Sequence, residues 1–226
     1  MQLTRETIEN RINEVVAGIL IDHDFLIKRE EGTRIFKCLR RNKSGYDYTT
    51  LPSIRYHSDL FTFHLTLFKR INAIEQVWQD LAPLINIHYQ DAQAPLTFHV
   101  GGDSLQFPYT EDALNDMQDI LTDLLTSHLL PDLATFSDIK KLDAFVNTSF
   151  PYDEKVHAIL GNEGLIFKRI AIARFAGNPN FEDLCDFIRS SFDWYREYAK
   201  NDGLEYFANY PVVFEKVYER LKSNIH

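Results

Sequence analysis

Between Thr110 and Asp123 the chain reads TEDALNDMQDILTD, with five carboxylates and neither lysine nor arginine. Asp112, Asp116, Asp119 and Asp123 recur at i, i+4, i+7 and i+11. At about 100° per helical residue they fall within about 60° of one another, while Leu114, Met117, Leu121, Leu124 and Leu125 point the other way. The apolar side makes this an amphipathic helix, and the acidic side is its solvent face. Like charges at i, i+4 repel by a few tenths of a kcal/mol each, so an unmixed acidic column suits a basic partner. It does not suit a divalent ion, which takes its ligands from a turning loop or from converging elements, and no calcium-loop pattern is present.

Other reactive side chains are dispersed. His57, His64, His88 and His99 lie on or beside predicted strands, and His64 shares a face with Thr62 and Thr66. No zinc-protease, nucleophile-elbow or phosphate-loop motif accompanies them, so the sequence specifies no catalytic residue, metal ligand or cofactor. An enzyme built on this chain would need His64 or His99 beside a carboxylate brought in by folding. Cys38 and Cys185 are too far apart for a disulfide framework or a zinc spacing and read as small core residues of a reducing compartment. Basic residues Lys28, Arg29, Arg34, Lys37, Arg40, Arg41 and Lys43, followed by Tyr46 and Tyr48, raise nucleic-acid binding as a second alternative. Glu30 and Glu31 dilute that patch, and lysines and arginines on a sheet edge also serve to block strand pairing between molecules.

The charge balance favours a protein partner over nucleic acid. Residues 71–139 hold eleven acids and no lysine or arginine, against a net charge of −9 for all 226 residues. A block of one sign repels nucleic acid and attracts basic proteins. No stretch is long and apolar enough to predict a membrane span, and the charged start MQLTRETIENR lacks the apolar run of a signal peptide. These features predict a cytoplasmic protein.

The elements that must position these groups follow from periodicity. Residues 5–20 carry Ile8, Ile12, Val15, Val16 and Ile19 at helical spacing behind Thr4 as N-cap. Strands are predicted over 25–30 and 33–41 around Glu31-Gly32, with a loop over 42–52. Residues 54–68 form the clearest strand region, with Phe61, Phe63, Leu65 and Leu67 alternating with Thr62, His64 and Thr66. A helix over 72–84 and strands over 85–89 and 96–100 follow. Helices are then predicted over 110–128, from Pro131 to about 145, over 155–160, 165–175 and 181–200, and from Pro211 to about 221. The order predicts α+β: an N-terminal helix, a mainly antiparallel sheet of about four to five strands, then a predominantly helical C-terminal half. One domain is expected over 1–226, with the sheet in 1–102 and the helical portion in 103–226.

Two resemblances attach to particular segments. ILGNEGLIFKRI, residues 159–170, resembles the helix–GxxG–helix of RNA-binding KH domains, in which such a loop clamps the nucleic-acid backbone; here Glu163 stands where a phosphate would approach. The first hundred residues resemble a loose class of small bacterial α+β domains. In these a helix precedes an F-x-x-K strand, here Phe25 to Lys28, a second strand and a long aromatic strand such as FTFHLTLF. Several are associated with polymorphic-toxin immunity genes. That resemblance implies a non-enzymatic, protein-binding role of immunity type and assigns no site residue.

Overall fold

A computed structural model describes residues 3–29, 36–50, 54–89, 95–148, 154–201 and 205–223. It has the expected α+β order of an N-terminal helix, an antiparallel sheet and a mostly helical second half. Two compact units emerge, Met1–Lys69 with His99–Ala134, and Arg70–Phe98 with Thr135–His226. This division does not follow the 1–102 and 103–226 portions, because the acidic helix belongs with the early strands.

In the first unit, helix α1 (Arg5–Ile21) begins where Thr4 Oγ1 accepts the Thr7 backbone N–H at 3.1 Å, the expected N-cap. It buries Ile8, Ile12, Val16 and Leu20. Strands β1 (Leu26–Arg29), β2 (Phe36–Asn42) and β3 (Gly45–Thr50) form an antiparallel meander. The predicted turn at Glu31-Gly32 lies outside the described residues.

Strand β3 occupies part of the segment expected to be a loop. Asn42 pairs with Gly45, so Lys43-Ser44 is a two-residue turn, tied by Ser44 N–H and Oγ to Asn42 Oδ1. The inward side of β3 carries Gly45, Asp47 and Thr49, a polar set that reads as loop in sequence. It is made burial-competent by ion pairing: Asp47 sits between Lys69 Nζ at 2.7 Å and Arg40 Nε at 2.8 Å.

The aromatic stretch 54–68 is not one strand. It divides into β4 (Arg55–Tyr56), β5 (Leu60–Phe63) and β6 (Thr66–Ile71), broken at His64-Leu65. β6 joins a five-stranded sheet of order β1-β2-β3-β6-β7, where β7 is Phe98–Gly101. β5 lies in a second, three-stranded sheet of order β4-β5-β8, where β8 is Leu105–Pro108, a strand not anticipated from the sequence. The alternating apolar face is nonetheless real, since Phe61, Phe63, Leu65 and Leu67 are all buried.

Helix α3 (Glu111–Asp123) follows, capped by Thr110, whose Oγ1 accepts the Ala113 N–H. It passes without a break through a π-helical stretch, Leu124–Leu129, into α4 (Leu130–Ser137). Pro131 was expected to restart a helix. Instead the wider π turn precedes the proline, which offers no N–H to bond.

In the second unit, the helix expected over 72–84 shortens to α2 (Asn72–Gln76), followed by turns and a 3-10 segment, Ala82–Ile85. That segment ends at Asn86 in the left-handed region, φ 61°, and residues 86–89 form no strand. Helices α5 (Ile139–Val146), α6 (Glu154–Leu160), α7 (Leu165–Ala176), α8 (Phe181–Ser190), α9 (Phe192–Asn201) and α10 (Tyr210–Ser223) complete it. The expected 181–200 helix is interrupted at Ser191. α7 is the central element: every residue from Phe167 to Ala173 is buried, and α2, α5, α8 and α10 pack around it.

Candidate functional site

The acidic helix is built as its periodicity requires. Ala113, Leu114, Met117 and Leu121 are buried on one side of α3, and Asp112, Asp116, Asp119 and Asp123 are all exposed on the other. Among the described residues, no lysine or arginine reaches any of the four within ion-pair distance. Asp123 Oδ2 lies 3.8 Å from His128 Nε2, with both side chains well exposed. An exposed pair of that kind contributes about 0–1 kcal/mol. Beside the column stands Ile120, 43% exposed, an apolar group set among carboxylates.

The rest of the acidic segment has other duties. Glu75 on α2 is completely buried. Asp80 holds Arg220 through two contacts of 2.6 and 2.8 Å. Asp138 caps α5, its Oδ1 accepting the N–H groups of Lys140 and Lys141. Residues 71–98 and 135–139 belong to the second unit and 99–134 to the first. Within 99–134, Asp103, Glu111 and Asp132 are exposed as well, and the four α3 aspartates are the acids set in one helical register.

Glu75 is the group that sequence reasoning missed. Neither carboxyl oxygen completes a hydrogen bond of ordinary geometry, and neither does the indole N–H of buried Trp78. The Thr97 hydroxyl, which accepts the Ile71 N–H at 2.8 Å, and the Trp78 indole both face the carboxyl closely enough to favour its charge. Burial outweighs them and raises the Glu75 pKa, with the nearby Lys168 and Arg70 opposing. Lys168, also buried, donates to the Leu160 carbonyl at 2.9 Å, and its pKa is pushed down by desolvation against the pull of Glu75 and Glu163. Arg70 is fully committed to Asn72, the Pro95 carbonyl and Gln79. No sequence signal marks Glu75, because a carboxylate one residue past Ile74 reads as the polar side of a helix.

The remaining candidates are not gathered into one site. His64 is exposed on the link between β5 and β6, and His88 is exposed. His99 lies against Phe68 with ring centroids 5.7 Å apart and the planes tilted by 44°, and His57 Nε2 lies 3.4 Å from Thr62 Oγ1. Among the described residues no group of three histidine, cysteine, aspartate or glutamate side chains is arranged to hold a metal. Cys38 and Cys185 are free and buried, and burial raises their thiols to about 11 and about 12. They are inert packing groups rather than nucleophiles.

Within the basic hairpin, Arg40 is spent on Asp47 and on the His23 carbonyl and lies over the Phe25 ring. Lys28, Arg41 and Lys43 are exposed, and Arg34 lies outside the described residues. The KH-like loop exposes Asn162 and Glu163 and is anchored at its last residue. Gly164 is buried with no room beyond it, since a Cβ there would stand 2.4 Å from the Trp78 ring. Lys168, the basic residue that follows the loop, is turned into the interior.

A scan against protein-family models found no match, and searches of the curated proteins and of the solved structures found none either. No helix among the described residues is long and apolar enough to cross a membrane.

Proposed function

We propose that this chain is a non-enzymatic protein-binding module whose exposed α3 face receives a basic protein. The observation that carries the reading is the α3 column itself: four exposed aspartates in register, with no lysine or arginine among the described residues in reach, beside an exposed isoleucine. Charge around an apolar anchor is the composition of a protein interface rather than of a small-molecule pocket. Such a surface chiefly raises the association rate and selects the partner by sign. The resemblance of the first hundred residues to immunity-associated domains points to a basic toxin such as a nuclease as the partner, although the aromatic stretch FTFHLTLF is shared between two sheets. The two inert thiols support a cytoplasmic setting.

The test is the double reversal Asp116→Lys with Asp119→Lys. A basic protein retained by the wild type from a lysate of the source cell is identified by mass spectrometry, purified and measured by stopped-flow association. The double variant is expected to associate about tenfold or more slowly at low salt, with the gap closing as salt rises. Equal rates for both proteins at low salt refute the proposal.

A further inference from the structure

Helices α1 and α3 do not close fully against one another. Between them runs an open groove of about 310 Å³, with Val15, Gly18 and Ile19 of α1 on one side and Gln118 and Thr122 of α3 on the other. Val15 and Ile19 are only half-buried, although their neighbours Val16 and Leu20 are core residues. Gly18 makes the opening. It is a glycine inside a helix, where that residue costs stability relative to alanine, and a Cβ built on it meets nothing within 4 Å.

The groove's charges favour a cation. Glu14 and Asp22 line it, and the one lining cation, Arg11, is turned to Gln118 Oε1 at 3.1 Å. Asp119 and Asp123 follow the two α3 lining residues by one position each, a rotation of about 100°, so the acidic column forms the outer bank. Ile21, 57% exposed, lies at the C-terminal end of α1 beside Asp22. The groove therefore offers a short apolar strip, Val15 and Ile19, bare at Gly18, with carboxylates on both banks. Its uncharged polar groups are engaged within the wall, Gln118 Oε1 by Arg11 and the Thr122 hydroxyl by the Gln118 carbonyl.

We infer that the α1–α3 groove is the seat of a basic amphipathic helix of the partner, with an apolar side chain lodged over Gly18 and lysines or arginines reaching the acidic banks. This deepens the protein-binding reading and rests on it. Helix-in-groove recognition uses apolar anchors at i, i+3, i+4 and i+7, and the groove runs along two helices.

The probe is a fluorescein-labelled synthetic helical peptide with leucines on one side and lysines on the other, followed by fluorescence anisotropy at low salt. A peptide of the same composition with its amphipathic order scrambled is the control. The blocking variant is Gly18→Gln, which fills the gap without changing charge, and Gly18→Ala is the small companion. Both favour the helix over glycine, and circular dichroism with thermal unfolding verifies the fold. The expected result is binding of the ordered peptide, weakened about tenfold by Gly18→Gln and little by Gly18→Ala, with the scrambled peptide binding less well. Equal binding of the two peptides, no binding of the ordered one, or an affinity indifferent to Gly18→Gln each overturn the groove assignment. If the Asp116 and Asp119 reversal still slows the protein partner in that case, the acidic-face reading stands without the groove.

Discussion

Three glycines of the second unit offer a controlled measurement of packing at the GNEG loop. Gly161, Gly164 and Gly177 share nearly one backbone conformation, with φ of 69°, 66° and 71°, so replacing any of them by alanine incurs the same left-handed penalty of about 1–2 kcal/mol. Only Gly164 has a neighbour. Its added Cβ would stand 2.4, 2.5 and 2.9 Å from three carbons of the Trp78 six-membered ring, whereas Gly161 and Gly177 face nothing within 4 Å. Contact between carbons is favourable at about 3.5–4.0 Å, so the ring must retreat by more than about 1 Å. Trp78 is fully buried, stacked on Phe167 at 5.7 Å and edge-on to Tyr89 at 6.1 Å, so that retreat disturbs two further rings. Overpacking of this kind costs about 1–3 kcal/mol, which brings Gly164→Ala to about 2–5 kcal/mol in all. Urea unfolding of the three alanine variants, followed by circular dichroism and tryptophan fluorescence, separates the terms. The difference between Gly164→Ala and the mean of the other two is the steric cost. The double variant Gly164→Ala with Trp78→Phe, set against its single variants, should recover part of it. If all three alanines fall within about 0.5 kcal/mol of one another, the steric argument fails.

Two buried charges give further expectations. Asp47→Ala strands Lys69, which is 5% exposed, and removes a partner of Arg40, so it should destabilise by about 3–5 kcal/mol; a loss below about 1 kcal/mol in urea unfolding would show that Lys69 finds another partner. Glu75 has a raised pKa from burial, so the folded protein holds that proton where the unfolded chain has released it. The wild type therefore loses stability as pH climbs from the ordinary carboxylate range to the raised value. Glu75→Gln cannot ionise, and its stability relative to wild type should rise across that window and level off above it. A difference in melting temperature that stays constant with pH would mean Glu75 remains ionised throughout.

What the sequence disclosed depended on whether local pattern and tertiary role agreed. α1, α3 and α10 carry their caps, apolar spacing and early proline in plain view, and they formed near the expected bounds. β3 did not, because Asp47 and Thr49 turn inward, and an inward aspartate is tolerable there through its pairing with Arg40 on β2 and the distant Lys69. FTFHLTLF had the right period yet two destinations, since alternation gives the buried face but not the strand that pairs with it. The helix over 72–84 was overextended because Ile74, Val77, Trp78 and Leu81 are all buried at helical spacing although the helix stops at Gln76. At the candidate site, the exposure of the four aspartates was legible from the helical wheel. The burial of Glu75 was not, because the groups around it include Lys168 and Thr97 from two distant stretches of chain as well as Trp78 three residues on.

That contrast changes what the acidic segment can do. A run of eleven acids without a lysine or arginine suggests a broad negative field, but folding removes Glu75 to the interior and assigns Asp80 and Asp138 to structural bonds. The α3 column, with Asp103, Glu111 and Asp132 exposed besides it, is about 16 Å long at 1.5 Å per residue. The screening length at physiological salt is about 8 Å, so Asp112 and Asp123 scarcely sense the same distant cation. A partner is rewarded only for placing its cations in contact, about one helical turn apart. Steering of that range selects orientation but cannot by itself hold a complex together. Lasting affinity must come from apolar burial, and on this side of the first unit the groups placed to supply it are Ile120 beside the column and Val15 and Ile19 in the groove.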